Sequence, residues 1–159
     1  MPLKNRNSGE TLKSSIDKVV KSDYKWIKKS PNFKFDWKIE SENEVYKIFL
    51  LDSEEEVLGL MSLVDYPEEY RVHLNLIETS GDQRGKTKTI ENIAGCLLAF
   101  ACQVAFNRGY FGFLSLQPKT ELINFYQDKY GFRQFGRLLA VEGASAKFLI
   151  QNYLSDEEA

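Results

Sequence analysis

Apolar positions recur along this chain with two different periods. From Thr11 to about Ser22, Leu12, Ile16, Val19 and Val20 fall at helical spacing with lysines between them, which predicts an amphipathic helix. Pro31 and Asn32 punctuate the chain. The period then drops to two: Phe33–Glu40 alternates Phe33, Phe35, Trp37 and Ile39 with polar neighbours, and Val45–Leu51, Val57–Val64 and Val72–Thr79 are β-branched or aromatic runs. Short connections between these four segments predict an antiparallel meander. At Ser80 the texture changes again. Ile90, Ile93, Ala94, Leu97, Leu98, Ala101, Val104 and Ala105 keep helical spacing through about four turns, with Gly109 placed to cap the end. Cys96, Phe100 and Cys102 on its other side predict a helix buried nearly all round. Phe111–Leu116 reads as a strand, Lys119–Lys129 as a helix after Pro118, Phe132–Val141 as two short strands, and Ala144–Leu154 as a terminal helix. The order predicts an α+β fold: a mixed sheet whose antiparallel meander is followed by a parallel βα crossover. Residues 1–10 are expected to form a flexible terminus ahead of a single domain spanning 11–159.

Composition narrows the class. The 159 residues are 43% hydrophobic and 13% aromatic, which argues against disorder. No apolar run reaches the roughly 18 residues of a membrane helix, and the polar, basic N-terminus lacks the apolar stretch of a secretory signal. Cys96 and Cys102 lie about 9 Å apart along one helix axis and on different faces, too far for a disulfide. No Cys/His spacing resembles a zinc site. A reduced, cytoplasmic protein without a metal is expected, either a monomer or a homodimer, with Phe148, Leu149 and Tyr153 of the terminal helix packing the core.

The net charge of −2 conceals blocks. Residues 1–38 hold ten Lys/Arg against four Asp/Glu; residues 39–82 hold two against twelve; residues 83–137 hold eight against three. An acidic block followed by a basic one suggests ligands of opposite charge.

The basic block opens within the segment Ser80-Gly81-Asp82-Gln83-Arg84-Gly85-Lys86-Thr87-Lys88-Thr89, between a predicted strand and the long helix. A helix start presents unpaired N–H groups and partial positive charge, glycine admits close approach, and lysine, arginine and threonine add donors, so the segment suits a diphosphate. Gly85-Lys86-Thr87 fits the end of the P-loop pattern, but Ser80 stands at its first glycine, and a meander precedes the loop where a P-loop fold needs alternating strands and helices.

The loop resembles that of the GCN5-related N-acetyltransferase (GNAT) superfamily, in which the fourth strand feeds a loop of pattern [RQ]-x-x-G-x-[GA] that opens a long helix. Here Arg84-Gly85-Lys86-Thr87-Lys88-Thr89 carries the Arg, a Gly and the Lys, with Thr87 and Thr89 where small residues are usual. A second family signature is matched by Tyr126 and Gly131-Phe132, with Lys119 and Leu122 in place of its Asn and Ala. The resemblance spans roughly residues 45–137. It implies the acyl-CoA N-acyltransferase fold and acetyl-CoA as co-substrate. It also implies cofactor contacts from Thr79, Gln83, Arg84, Gly85, Lys86, Thr87, Lys88 and Thr89, with Lys119 as a further phosphate or ribose contact.

The implied reaction is direct attack of a primary amine on the thioester. Tyr126 resembles the family tyrosine that protonates the leaving thiolate. His73 stands where the family often has a carboxylate base, and its ordinary pKa of about 6.5 suits proton abstraction. Glu78 is a second candidate base, on the opposite strand face unless a bulge brings it round. The acidic meander would face the acceptor, which favours a cationic amine. The same fold acting as a non-catalytic acyl-CoA- or protein-binding module is the alternative. Nucleic-acid binding by Lys13, Lys18, Lys21, Lys25, Lys28 and Lys29 is disfavoured by the pI near 5.6 and the lack of a paired aromatic platform.

Overall fold

A computed structural model describes residues 2–154. The meander is built from β2 (Ser14–Lys18), β3 (Glu44–Leu50), β4 (Ser53–Tyr66) and β5 (Arg71–Thr79). The chain crosses over through α2 (Ile93–Asn107) to β7 (Leu114–Leu116), which lies parallel to β5. α3 (Ile123–Tyr130), β8 (Arg133–Phe135), β9 (Leu138–Val141) and α4 (Gly143–Tyr153) complete a sheet of order β2-β3-β4-β5-β7-β9-β8. This is the mixed sheet that the pattern predicts, with one parallel step in an otherwise antiparallel ladder.

Two apolar layers flank the sheet. On one face α2 and α4 pack over Leu63, Val72, Leu74, Leu114 and Leu139. Ala99, Ala101, Cys96 and Cys102 are all fully buried, so α2 is enclosed as expected. Gly95 allows α4 its close approach: a Cβ there would sit 2.5 Å from Tyr153 Cδ1. Gly109 follows the helix with φ +82° and donates to the Phe106 carbonyl, the predicted cap. On the other face Ile27 of α1 (Asp23–Lys29), Phe33 of the connection that follows, and Trp37 of a 3₁₀ segment (Trp37–Glu42) cover Phe49 and Leu60.

Three expectations fail at the N-terminal end. Thr11–Ser22 is not a helix: Ser14–Lys18 pairs with β3 as the edge strand, and the helix begins at Asp23. Phe33–Glu40 is not a strand, because the side chains that bury are Phe33 and Trp37, four apart, while Phe35 and Ile39 stay 49% and 72% exposed. Nor is the N-terminal decapeptide loose where it is described. Leu3 is fully buried, and β1 (Lys4–Asn5) pairs antiparallel with β6 (Ile90–Glu91) just ahead of α2. Met1 and residues 155–159 of the expected domain span lie outside the described residues. No described helix is long and apolar enough to cross a membrane.

Candidate functional site

The site is set by an irregularity in β5. Ser62 of β4 lies opposite Leu76, while Leu63 lies opposite Leu74, so Asn75 is an extra residue, a β-bulge. The bulge reverses the alternation of faces. Val72 and Leu74 point to the α2 core and so does Ile77, whereas Leu76 joins the α1 layer. Glu78 is thereby brought round to the face of His73, the outcome the sequence made conditional on a bulge. At the other edge of β5 the ladder to β7 covers only Val72–Leu74, yet β5 continues to Thr79. The two parallel strands part there, and the β5 edge beyond Leu74 is open to an extended ligand's amide groups.

A cleft of about 260 Å³ adjoins this opening. Thr79, Arg84, Gly85 and Lys88 form one side; Asn92, Ile93 and Ala94 at the start of α2 form its floor; Phe125, Lys129 and Tyr130 of α3 close it. Asn92 has φ +77°, and the first helical bond runs from Cys96 N–H to the Asn92 carbonyl. The amides of the intervening residues have no acceptor within the helix, and they carry the positive end of its dipole. Gly85 has φ +60° and open space where a Cβ would be, so its backbone is approachable.

The loop residues divide by role. Gln83 is buried at the rim and organises the loop: its Oε1 accepts from Thr89 N–H at 3.0 Å and Ile90 N–H at 2.9 Å, and its Nε2 donates to Thr89 Oγ1 at 2.9 Å. Thr87 Oγ1 turns inward to donate to the Arg84 carbonyl at 2.9 Å. Lys86 and Thr89 line a neighbouring hollow with Arg6 and Asn7. The Gly-Lys-Thr run thus does not open the helix, and β6 stands between them, which removes the P-loop arrangement.

Placed at the start of α2, the loop pattern lies five residues beyond Arg84–Thr89. Set against the true helix start, [RQ]-x-x-G-x-[GA] falls on Thr89-Ile90-Glu91-Asn92-Ile93-Ala94, with Asn92 in the left-handed conformation where the pattern has glycine and Ala94 at the last small position. Asparagine is the residue after glycine that best tolerates that conformation, and this was the available signal.

The predicted catalytic side chains do not converge. Glu78 is 4% exposed, and its carboxylate accepts from Lys34 N–H (2.7 Å), Phe35 N–H (3.3 Å) and Trp37 Nε1–H (2.7 Å), with Arg84 3.9 Å away. It is a strut that pins the 33–37 segment to the end of β5, not a free base. His73 faces Ser115 Oγ at 2.8 Å and Arg71 Nη1 at 3.2 Å, both through Nδ1. Arginine only donates, so Nδ1 accepts and the proton sits on Nε2. Burial, with Arg71 adding to it, holds the His73 pKa below its ordinary value. The neutral ring therefore presents an N–H, a donor where a base was expected. Lys119 is exposed and borders neither the cleft nor the hollow.

Tyr126 sits half-buried on α3 against Phe132 and Tyr130, and burial pushes its pKa up, so it keeps its proton. It does not line the cleft; Tyr130, one turn further along α3, does. Tyr130 is raised further, first by burial and then by Tyr153 and Tyr126. One extra residue stands between Tyr126 and Gly131 relative to the family signature, and Tyr130 is the tyrosine of α3 that borders the cleft.

No protein-family model matches the sequence, and no curated protein does. Solved structures do match: Ard1 from Thermoplasma volcanium superposes with a TM-score of 0.60 at 12% identity, over 82% of this chain and 97% of that one. The fold is that of the GCN5-related N-acetyltransferases. AtaTR solved with acetyl-CoA bound (TM-score 0.58, 14% identity, 86% of this chain and 98% of that chain) shares it. So does an IAA acetyltransferase from Bacillus cereus (0.53, 16%, 77% and 79%).

Within the GNAT fold the charge blocks take on positions. Arg84, Lys88 and Lys129 of the basic block meet at the cleft. Several carboxylates of the acidic block are paired within the fold. Glu44 and Asp65 pair with Arg108 at the end of α2, Glu69 with Arg71, and Glu40 accepts from Asn75 Nδ2 at 2.6 Å. With Glu78, these are five of the block's twelve carboxylates, each engaged within the fold. Among the described residues no group of three or more His, Cys, Asp or Glu side chains is placed to hold a metal.

Proposed function

We propose that the chain is an acetyl-CoA-dependent N-acetyltransferase that moves the acetyl group to a primary amine by direct attack. The observation that carries this reading is the continuity of two features: the open β5 edge from Asn75 to Thr79, and the cleft where the α2 amides meet Arg84, Lys88 and Lys129. The first suits the amides of a pantetheine arm, and the second suits a diphosphate. The likeness to a structure with acetyl-CoA bound supports the assignment.

In the reaction a neutral amine attacks the thioester carbon, a C–N bond forms, the C–S bond breaks, and the thiolate takes a proton. A protonated tyrosine beside the cleft can supply that proton and regain it from water, and Tyr130, which lines the cleft, is better placed for this than Tyr126. With Glu78 engaged as a strut and His73 presenting an N–H, the ammonium loses its proton to water. Positioning then supplies most of the rate. That same engagement favours the second reading, a non-catalytic module that holds an acyl-CoA.

Thiol release from acetyl-CoA over a panel of amines decides between the two. Release that depends on the amine, with a mass-verified acetylated product, establishes the enzyme. Tight acetyl-CoA binding without release from any amine establishes the module.

A further inference from the structure

A second concavity, of about 440 Å³, lies on the opposite side of β5 from the α2 core, between α1 and the 33–39 segment. Its size is that of a small-molecule pocket. Ile27, Phe33 and Trp37 form its buried floor, and Tyr24 and Phe35 add aromatic surface. Its charged lining is Lys28, Lys34 and Lys38 against a single aspartate, Asp36. None of the twelve acids of the 39–82 block lines it.

Two contacts tie this pocket to the stretch of β5 that borders the cleft. The Trp37 indole donates to Glu78, and Lys34 and Phe35 hang from the same carboxylate. Glu40, which follows the pocket's Ile39, accepts from Asn75 at the bulge. The pocket therefore backs onto Asn75–Glu78, with its lysines at the solvent side.

We infer that this pocket is the acceptor site and that its ligand is a primary amine with an aromatic body and an anionic group at the end remote from the amine. The inference rests on the proposed acetyl transfer for its catalytic meaning, but the pocket's ligand class stands on its own lining. Tyr24 and Phe35 flank the body above the apolar floor, the amine end lies on the side that backs onto β5, and the exposed lysines meet the anion. The exposed lysines also act as a filter, because a polycation meets like charge at the mouth.

Calorimetric titration with tyramine O-phosphate, tyramine and spermidine tests it on the full chain. The phosphorylated amine is expected to bind at least about tenfold more tightly than tyramine, and spermidine not at all. Lys28→Gln with Lys38→Gln, both at exposed positions, is expected to erase that preference while leaving tyramine and acetyl-CoA binding unchanged. Melting of the double variant at the wild-type temperature confirms that its fold is intact. Equal affinity for tyramine and its phosphate, preference for spermidine, no binding of the phosphate, or an unaltered preference in the double variant each overturns the inference. Absence of acetyl-CoA binding with the phosphate preference intact instead removes the proposed reaction and leaves the pocket standing.

Discussion

Glu78 separates a structural carboxylate from a catalytic one, and its substitution has a calculable cost. Three donors converge on a side chain that is 4% exposed. Glu78→Ala leaves the Lys34 and Phe35 amides and the Trp37 indole without their acceptor, and it frees Arg84 from its one buried counter-charge. Hydrogen bonds to charged groups contribute about 1.5–3 kcal/mol each, but losses at one site are not additive. Breaking a buried charged network by removing one partner costs about 3–5 kcal/mol. For a chain of this size each kcal/mol lowers the melting temperature by about 2–4 °C, so a fall of roughly 10 °C is expected. Glu78→Gln keeps one acceptor oxygen but turns an N–H toward a donor, and an intermediate loss of about 1–3 kcal/mol is expected. Chemical denaturation, read by the fluorescence of Trp37 and Trp26, measures both. A Glu78→Gln protein that melts as wild type yet releases thiol a thousandfold more slowly would refute the strut and restore the base.

Other outcomes follow from the same geometry. Tyr130→Phe is expected to slow thiol release more than Tyr126→Phe, by about ten- to a hundredfold, with acetyl-CoA affinity kept; equal effects would return the acid role to Tyr126. Lys129→Gln and Arg84→Gln should each weaken acetyl-CoA binding several-fold and reduce its salt dependence, as calorimetry at two ionic strengths will show. The Arg108 side chain bonded to Glu44 holds that carboxyl below its usual range despite partial burial. Its stabilisation is therefore complete above about pH 4.3 and is lost as pH falls through the depressed folded value. Glu44→Gln should flatten the acid limb of the stability curve there and nowhere else. Cys102 is fully buried, and its thiol is pushed up to about 12, so native protein should not react with a thiol reagent until it is unfolded.

The fold was legible where one period dominates. Along α2 nearly every face is apolar and buried, and no competing pattern exists. β3, β4 and β5 were found because their runs are β-branched and their turns are polar. The failures lie where tertiary contacts override a local pattern. Ile16 and Leu12 keep helical spacing, yet the free edge of β3 recruits Ser14–Lys18 as a strand. Phe33, Phe35, Trp37 and Ile39 alternate perfectly, yet Glu78, more than forty positions on, gathers the amides of Lys34 and Phe35 and the indole of Trp37 into a turn. Of the candidate site residues, Thr79, Gln83, Arg84, Gly85 and Lys88 line the cleft, because they lie on the loop that joins β5 to α2. Asn92, Ala94 and Tyr130 were missed because the helix start and the register of α3 depend on β6 and on one inserted residue. The bulge at Asn75 carries no local sequence mark at all.

The proposed binding of acetyl-CoA in the cleft beside the open β5 edge is decided by thermal denaturation with and without that ligand. A ligand at 100 times its dissociation constant stabilises the native state by about 2.7 kcal/mol. That corresponds to a rise of roughly 5–10 °C for a chain of this length. The rise should appear with acetyl-CoA and CoA and shrink when Arg84 and Lys129 are neutralised. An unchanged melting temperature at millimolar acetyl-CoA would mean that the cleft does not hold it.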